Sequence, residues 1–86
     1  MNSGFNFIVN IPRPYPGTDE NKRIIAYIEP LREKKNVMVS DAYLFNLNQF
    51  KADQEPSLSV GFKYMFWFTN EENAYEFSKM FNGIIL

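Results

Sequence analysis

The sequence predicts an α+β fold in which two helices pack on one face of an antiparallel sheet. Three observations support this prediction. Apolar side chains alternate along residues 5–11 and 60–68, as in half-buried strands. Two other segments repeat apolar residues at helical spacing. Finally, 86 residues are too few for two ordinary domains, so we expect residues 1–86 to form a single domain.

The first strand and the first helix follow from local signals. Apolar residues occupy every odd position of residues 5–11, and the prolines that come next end the strand because proline lacks an amide donor. Thr18 or Asp19 is expected to cap a helix, whose apolar stripe consists of Ile24, Ile25, Ile28 and Leu31. Pro30 removes a backbone donor, so this helix is expected to stop or kink near Glu29, with residues 31–35 as a separate turn.

Residues 37–50 and 60–68 provide two further predicted strands. The first of them is rich in β-branched and aromatic side chains, and Tyr43, Phe45 and Leu47 alternate with Leu44, Asn46 and Asn48, which indicates a long or bent strand. Residues 51–57 form a polar connector. Residues 60–68 alternate throughout and form the most apolar strand, which we place at the centre of the sheet.

A second helix and a short last strand complete the pattern. The segment Thr69-Asn70-Glu71-Glu72 predicts a capping box, in which the threonine oxygen accepts the backbone N–H of Glu72. Asn82-Gly83 is expected to end this helix because glycine accepts the left-handed conformation. Residues 84–86 remain as a short fourth strand. The resulting order, β-α-β-β-α with a vestigial final strand, favours a ferredoxin-like split β-α-β sandwich.

Parts of this pattern resemble the RNA-recognition motif. Asn10-Ile11-Pro12 is similar to the Asn-Leu-Pro that ends the first strand in that family. The segment from Phe68 to Ala74, together with Asn82-Gly83, is similar to the family's third-strand end and second helix. The resemblance implies that single-stranded bases stack on the open sheet face, at the positions of Phe7, Lys63 and Met65. The alternation in residues 5–11 instead assigns Phe7 to the core.

Composition excludes several kinds of chemistry. The chain has neither histidine nor cysteine, which removes disulfides, thiolate metal ligands, and Ser-His or Cys-His catalysis. The adjacent carboxylates Asp19-Glu20 and Glu71-Glu72 lie at predicted helix N-termini, where acidic residues favour the helix dipole. With no phosphate-binding glycine loop either, we expect a non-enzyme without cofactor or metal.

Charge and hydropathy indicate the class of partner and the cellular compartment. A formal net charge of -1 is unfavourable for a protein that binds nucleic acid through charge alone. No signal peptide or apolar run of membrane-spanning length is present in the sequence, so we expect a cytoplasmic protein without membrane contact. The abundance of Asn, Ile, Lys, Phe and Tyr is typical of AT-rich codons and hints at a phage or a low-GC bacterium.

The sheet face opposite the helices is the predicted functional site. The core is expected to take Phe7, Val9, Tyr43, Phe45, Phe62, Tyr64, Phe66 and Phe68. The other face is then expected to carry Asn6, Ile8, Asn10, Leu44, Asn46, Lys63, Met65 and Trp67. Apolar groups mixed with neutral amides are typical of a protein interface, in which Trp67 would be the main anchor.

This face predicts a protein-binding module that associates with itself or inhibits a larger host protein. One alternative is an RNA or single-stranded DNA binder that uses Phe7, Lys63 and Trp67. A second alternative is an enzyme in a dimeric ferredoxin-like barrel, whose pocket lies between two open faces. A remaining alternative is that the C-terminal tail or the connector at residues 51–57 covers the face.

Overall fold

The computed structural model describes residues 4–11, 18–53 and 64–86. In this part of the chain the elements are β1 (Phe7–Ile11), α1 (Thr18–Glu33), β2 (Val37–Val39), α2 (Asp41–Lys51), β3 (Tyr64–Phe68), α3 (Glu71–Phe81) and β4 (Ile84–Ile85). The predicted proline-rich loop after β1, most of the predicted connector, and the first half of the predicted third strand lie outside the described residues.

The four strands form one antiparallel sheet in the order β2-β3-β1-β4. Since β1 and β2 both run antiparallel to β3, they are parallel to each other with β3 between them. By the same reasoning β3 and β4 are parallel, with β1 between them. Each strand-helix-strand unit, β1-α1-β2 and β3-α3-β4, is therefore split by a strand of the other unit. The α+β prediction is confirmed, and this arrangement is compatible with a ferredoxin-like sandwich.

All three helices pack on the same face of the sheet. In the sheet register Val9 is paired with Phe66, and Phe66 with Val39, so these side chains point to one side. Buried residues of every helix join them in a single core cluster, which contains Val9, Ile11, Ile24, Ile25, Ile28, Val37, Ala42, Tyr43, Leu47, Tyr64, Phe66, Phe68, Ala74, Phe77 and Phe81. The opposite side of the sheet is left without a helix from the described residues.

The predicted strand over residues 37–50 is wrong beyond Val39, because Asp41–Lys51 forms α2. Ser40 has the extended backbone of an N-cap, and the buried residues that follow recur at helical rather than alternating spacing: Ala42, Tyr43, Asn46 and Leu47. Phe45 is consequently not in the core, where we expected it, but 47% exposed on the outer side of α2. The apparent alternation covered only six residues, too few to distinguish a strand from a helix.

Helix α1 continues through Pro30 to Glu33, so the predicted stop near Glu29 is also wrong. The carbonyl deprived of a donor by Pro30 belongs to Ala26, and both residues are exposed, which leaves that carbonyl accessible to water. The buried stripe of Ile24, Ile25 and Ile28 lies on the other side of the helix, and Leu31 packs against the same core. Core packing on both sides of the proline therefore maintains the helix.

Both ends of α3 differ by one residue from the sequence prediction. Asn70 is the N-cap, and its side chain accepts the amides of Glu72 and Asn73, at 2.7 and 3.4 Å. The hydroxyl of Thr69 instead donates to the carbonyl of Asn36 beside β2. At the other end it is Asn82 that takes the left-handed conformation, with φ of 54°.

Gly83 is needed for a close approach between the end of α3 and β1. A Cβ atom on Gly83 would lie 2.6 Å from Cγ1 of Val9 and 3.2 Å from Cδ1 of Ile11. Valine is branched at Cβ and has few rotamers with which to make room. The absence of a side chain at this position therefore lets the chain pass directly into β4, which pairs with β1 as the predicted short fourth strand.

Candidate interaction surface

The face of the sheet opposite the helices is the candidate site, and we call it the open face. Four of its apolar side chains form a continuous row across all four strands. Met38 of β2 pairs with Trp67 of β3, and Trp67 pairs with Ile8 of β1. Leu86, just after β4, donates its amide to the carbonyl of Ile8 at 2.9 Å and so continues the row.

A second row lies beside the first. Met65 of β3 pairs with Asn10 of β1, and Asn10 pairs with Ile84 of β4. Met38, Ile84 and Leu86 are 52%, 50% and 67% exposed, and the remaining members of the two rows are partly exposed. Six apolar side chains and one neutral amide are thus grouped on a surface that the described helices do not cover.

The structure brings together most, but not all, of the residues predicted for this face. The open face contains Ile8, Asn10, Met65 and Trp67. The exposed Asn6 precedes β1 and, by alternation with Ile8 and Asn10, belongs to the same side. Lys63 is outside the described residues. Phe7 pairs with Phe68 and packs against the core, as the alternation predicted and contrary to the stacking role that the resemblance implied.

Leu44 and Asn46 do not belong to the open face, and their predicted placement is wrong. Both lie in α2, on the helical side of the sheet, because residues 41–51 are helical. Leu44 packs against the core cluster and Asn46 is fully buried. Their places are taken by Met38, Ile84 and Leu86, which were not predicted for this face. The sequence does indicate the position of Met38. It lies between Val37 and Val39, so in a strand its side chain points to the side opposite theirs.

The open face is electrically neutral over the described residues. Its polar neighbours at the strand ends are uncharged like Asn10, namely Asn6, Asn36, Ser40 and Thr69. No lysine, arginine, aspartate or glutamate of the described strands shares this side. Ser40 donates its backbone amide to the carbonyl of Met65 and accepts the amide of Met65 on its hydroxyl oxygen. The described part of the surface therefore presents apolar and neutral polar groups only.

On the helical side of the sheet, polar side chains link α1 to both of the other helices. The carboxylate of Glu29 accepts hydrogen bonds from the Tyr43 hydroxyl at 2.8 Å and from Arg32 at 2.7 Å, which links α1 to α2. The hydroxyl of Tyr27 donates to Glu76 at 2.8 Å and links α1 to α3. Burial and the bond to Glu29 raise the pKa of Tyr43 far above its ordinary value, so this hydroxyl stays a neutral donor.

Titration of Glu29 makes the stability of the protein depend on pH. Burial opposes its charge, but the hydrogen bonds from Arg32 and Tyr43 outweigh that effect, and the pKa of Glu29 is lowered from 4.5. A carboxyl whose pKa falls on folding stabilises the protein above its unfolded-state pKa. That contribution disappears as the pH drops through the folded-state value. Because the ion pair is about one-third exposed, the contribution is screened by water.

We therefore expect Glu29→Gln to lose less stability than the wild type when the pH falls from 6 to 3. Urea midpoints at the two pH values measure the difference, and Glu33→Gln, an exposed carboxyl near the end of the same helix, is the matched control. An equal acid-induced loss in the wild type and in Glu29→Gln would contradict the assigned role of this carboxylate.

Within the described ranges, no three or more aspartate or glutamate side chains are grouped so that they could hold a metal ion. No helix in the same ranges has the length and apolar character required to cross a bilayer.

Comparison of the chain with protein-family models, with curated proteins and with solved structures gave no match. The functional inference therefore depends on the chemistry of this chain's own residues.

Proposed function

We propose that the protein is a small non-catalytic binding module that engages a protein partner through its open face. The observation that carries this proposal is the apolar row of Met38, Trp67, Ile8 and Leu86, which extends from one edge of the sheet to the other. Contiguous apolar surface of this kind marks interaction sites on soluble domains, and tryptophan and methionine are enriched at protein interfaces.

The composition of the face favours a protein over a single-stranded nucleic acid. Nucleic-acid binding depends on lysine and arginine next to stacking aromatics, and it weakens steeply with salt. Trp67 is the one aromatic side chain that the described strands present on this side, and its described neighbours are aliphatic or neutral. Phe7, the other aromatic of the predicted stacking pair, packs against the core.

We also propose that the fold is ferredoxin-like, with α2 as an insertion between the second and third strands. The order β2-β3-β1-β4 and the two interlocked strand-helix-strand units support this assignment. In such a sandwich the helices protect one side of the sheet and leave the other side free for a partner. Helix α2 packs on the helical side through Tyr43, whose ring lies 5.4 Å from that of Phe66, so the insertion does not obstruct the open face.

Two methionines of equal exposure provide the test. Met38 lies on the open face and is 52% exposed, whereas Met80 lies on α3 and is 51% exposed. Met38→Lys places a charge within the proposed apolar contact, where desolvating it costs binding energy, and we expect at least about a tenfold loss of partner binding. Met80→Lys adds the same charge away from the face and is expected to bind like the wild type.

Capture from cells that produce the protein, quantified by mass spectrometry, measures this difference, with circular dichroism confirming that both variants fold. An untagged second copy of the chain is included among the proteins to be counted. Equal capture by Met38→Lys and the wild type would argue against the open face as the binding site. Steep salt-dependent quenching of Trp67 by oligonucleotides would instead support the nucleic-acid alternative.

A further inference from the structure

We infer that the partner of the open face is a second copy of this chain, packed face to face about a two-fold axis that runs along the strands. This inference rests on the proposed function and specifies its partner. Three properties of the described residues support it: the charge of the face, its area, and the order of side-chain sizes along its apolar row.

Charge complementarity is the first argument. The described part of the open face carries no formal charge, and the same part of a second copy is equally neutral, so contact between these two described surfaces leaves no charge without a partner. A two-fold interface joins a surface to itself, so the surface must be self-complementary, and a neutral surface meets this requirement in charge. With a formal net charge of -1 per chain, electrostatic repulsion between two copies is small.

The area of the face is the second argument. With the residues that flank the two short outer strands, the open face takes in residues 6–10, 36–40, 65–69 and 84–86. A strand spacing of about 4.8 Å and a rise of about 3.3 Å per residue then give a flat footprint of at most roughly 19 by 17 Å. The relief of the side chains increases the accessible area, so that two copies together approach the roughly 1,000 Å² that a specific interface requires. The dimer is therefore expected to be weak and to depend on concentration.

The order of sizes along the row is the third argument. An axis along the strands, between β1 and β3, places β3 of one copy on β1 of the other and β2 on β4. Trp67 then faces the second copy's Ile8, and Met38 faces the second copy's Leu86. Trp67, the largest side chain of the row, then meets the smaller isoleucine, while methionine and leucine, which have similar volumes, meet each other. The separation of the two sheets is therefore more even than if the two tryptophans met.

An axis across the strands would produce a different set of contacts. It would place Trp67 of one copy against Trp67 of the other copy, and Ile8 of one copy against Ile8 of the other. Because two facing tryptophans need a larger separation between the sheets than two facing isoleucines, voids would remain at the isoleucine pair. Packed interfaces avoid such voids. The axis along the strands is the arrangement that the side chains fit.

The chain lacks cysteine, so single introduced thiols can test this geometry. Facing positions of two packed sheets are about 10 Å apart, within reach of a short bifunctional thiol cross-linker. An equal mixture of Met38→Cys and Leu86→Cys should give covalent dimers severalfold more efficiently than either variant alone, because only the mixture contains the facing pair. Met80→Cys mixed with Leu86→Cys is the matched control and should give only background.

Sedimentation of the uncross-linked wild type over rising concentration completes the experiment. We expect a reversible dimer whose dissociation constant increases at least about tenfold in Met38→Lys and is unchanged in Met80→Lys. A wild type that stays monomeric up to millimolar concentration would overturn the second copy as partner. Efficient cross-linking of Met38→Cys alone would overturn the axis.

These results separate this inference from the proposed function. If the wild type is monomeric but Met38→Lys still loses a captured protein that Met80→Lys retains, the open face binds a different protein and only the second copy is ruled out. If Met38→Lys changes neither sedimentation nor capture, both the inference and the proposed function fail.

Discussion

Replacing Phe77 with alanine is expected to lower the free energy of unfolding by about 3–5 kcal/mol, the usual cost of removing a fully buried phenylalanine. Phe77 is completely buried in α3, and its ring contacts four other rings. The centroid distances are 4.8 Å to Phe66, 5.4 Å to Phe68, 5.0 Å to Phe81 and 5.6 Å to Tyr27. The truncation thus loosens α3 from both β3 and α1. For a small domain such a loss is a large part of the total stability.

Urea unfolding at constant temperature measures the change through the midpoint and the slope. Tyr75→Ala removes a neighbouring ring of the same helix that is 59% exposed, and it is expected to cost no more than about 0.5 kcal/mol. If Phe77→Ala fails to fold, Phe77→Leu is expected to show a smaller, measurable loss of stability because leucine keeps part of the buried volume. A loss for Phe77→Ala similar to that of Tyr75→Ala would contradict its central place in the core.

Replacing Asn46 with leucine is expected to cost about 2–3 kcal/mol, because the buried polar groups around it lose their partners. The amide nitrogen of Asn46 donates to the hydroxyl of Tyr64 at 2.8 Å and also to the side-chain oxygen of Asn21. Asn21 donates back to the oxygen of Asn46 at 3.2 Å. All three side chains are at most 2% exposed, so water cannot replace the missing bonds. Burial also raises the pKa of Tyr64 above its ordinary value, which keeps its hydroxyl neutral.

The triple variant Asn21→Leu, Asn46→Leu, Tyr64→Phe tests this explanation. It removes every member of the polar cluster together, so no donor or acceptor of the cluster is left buried without a partner, and we expect it to be more stable than Asn46→Leu alone. Urea unfolding of the two variants provides the comparison. A triple variant less stable than the single one would show that the cost of Asn46→Leu arises from packing and not from unsatisfied hydrogen bonds.

The elements with a strong local pattern were predicted from sequence. Residues 5–11 alternate over their whole length, and the structure has β1 there with the predicted faces, including the core side for Phe7. The helix after Thr69 and the short final strand were also found, since caps and glycine stops act over a few residues. These signals suffice because each one depends on neighbours along the chain.

The errors occurred where a contact distant in sequence overrides the local pattern. Residues 41–51 contain Asn46, and a polar side chain is not assigned to the buried face of a helix from sequence alone. Its partners Asn21 and Tyr64 come from α1 and β3. Pro30 likewise suggested a helix end, whereas packing of Leu31 beyond it keeps α1 intact. In each case the free energy that decides the structure comes from side chains 18 or more residues away in sequence or from the common core.

For the candidate site, the sequence by itself determined that an apolar and largely neutral side of the sheet contains Ile8, Asn10, Met65 and Trp67. It could do so because alternation along one strand fixes which side chains share a face. Only the tertiary structure decided which strands lie next to one another. Pairing of β2 with β3 and of β4 with β1 adds Met38, Ile84 and Leu86 to that face, and the helical state of residues 41–51 removes Leu44 and Asn46. Strand neighbours depend on how the whole core is packed, and no local pattern specifies them.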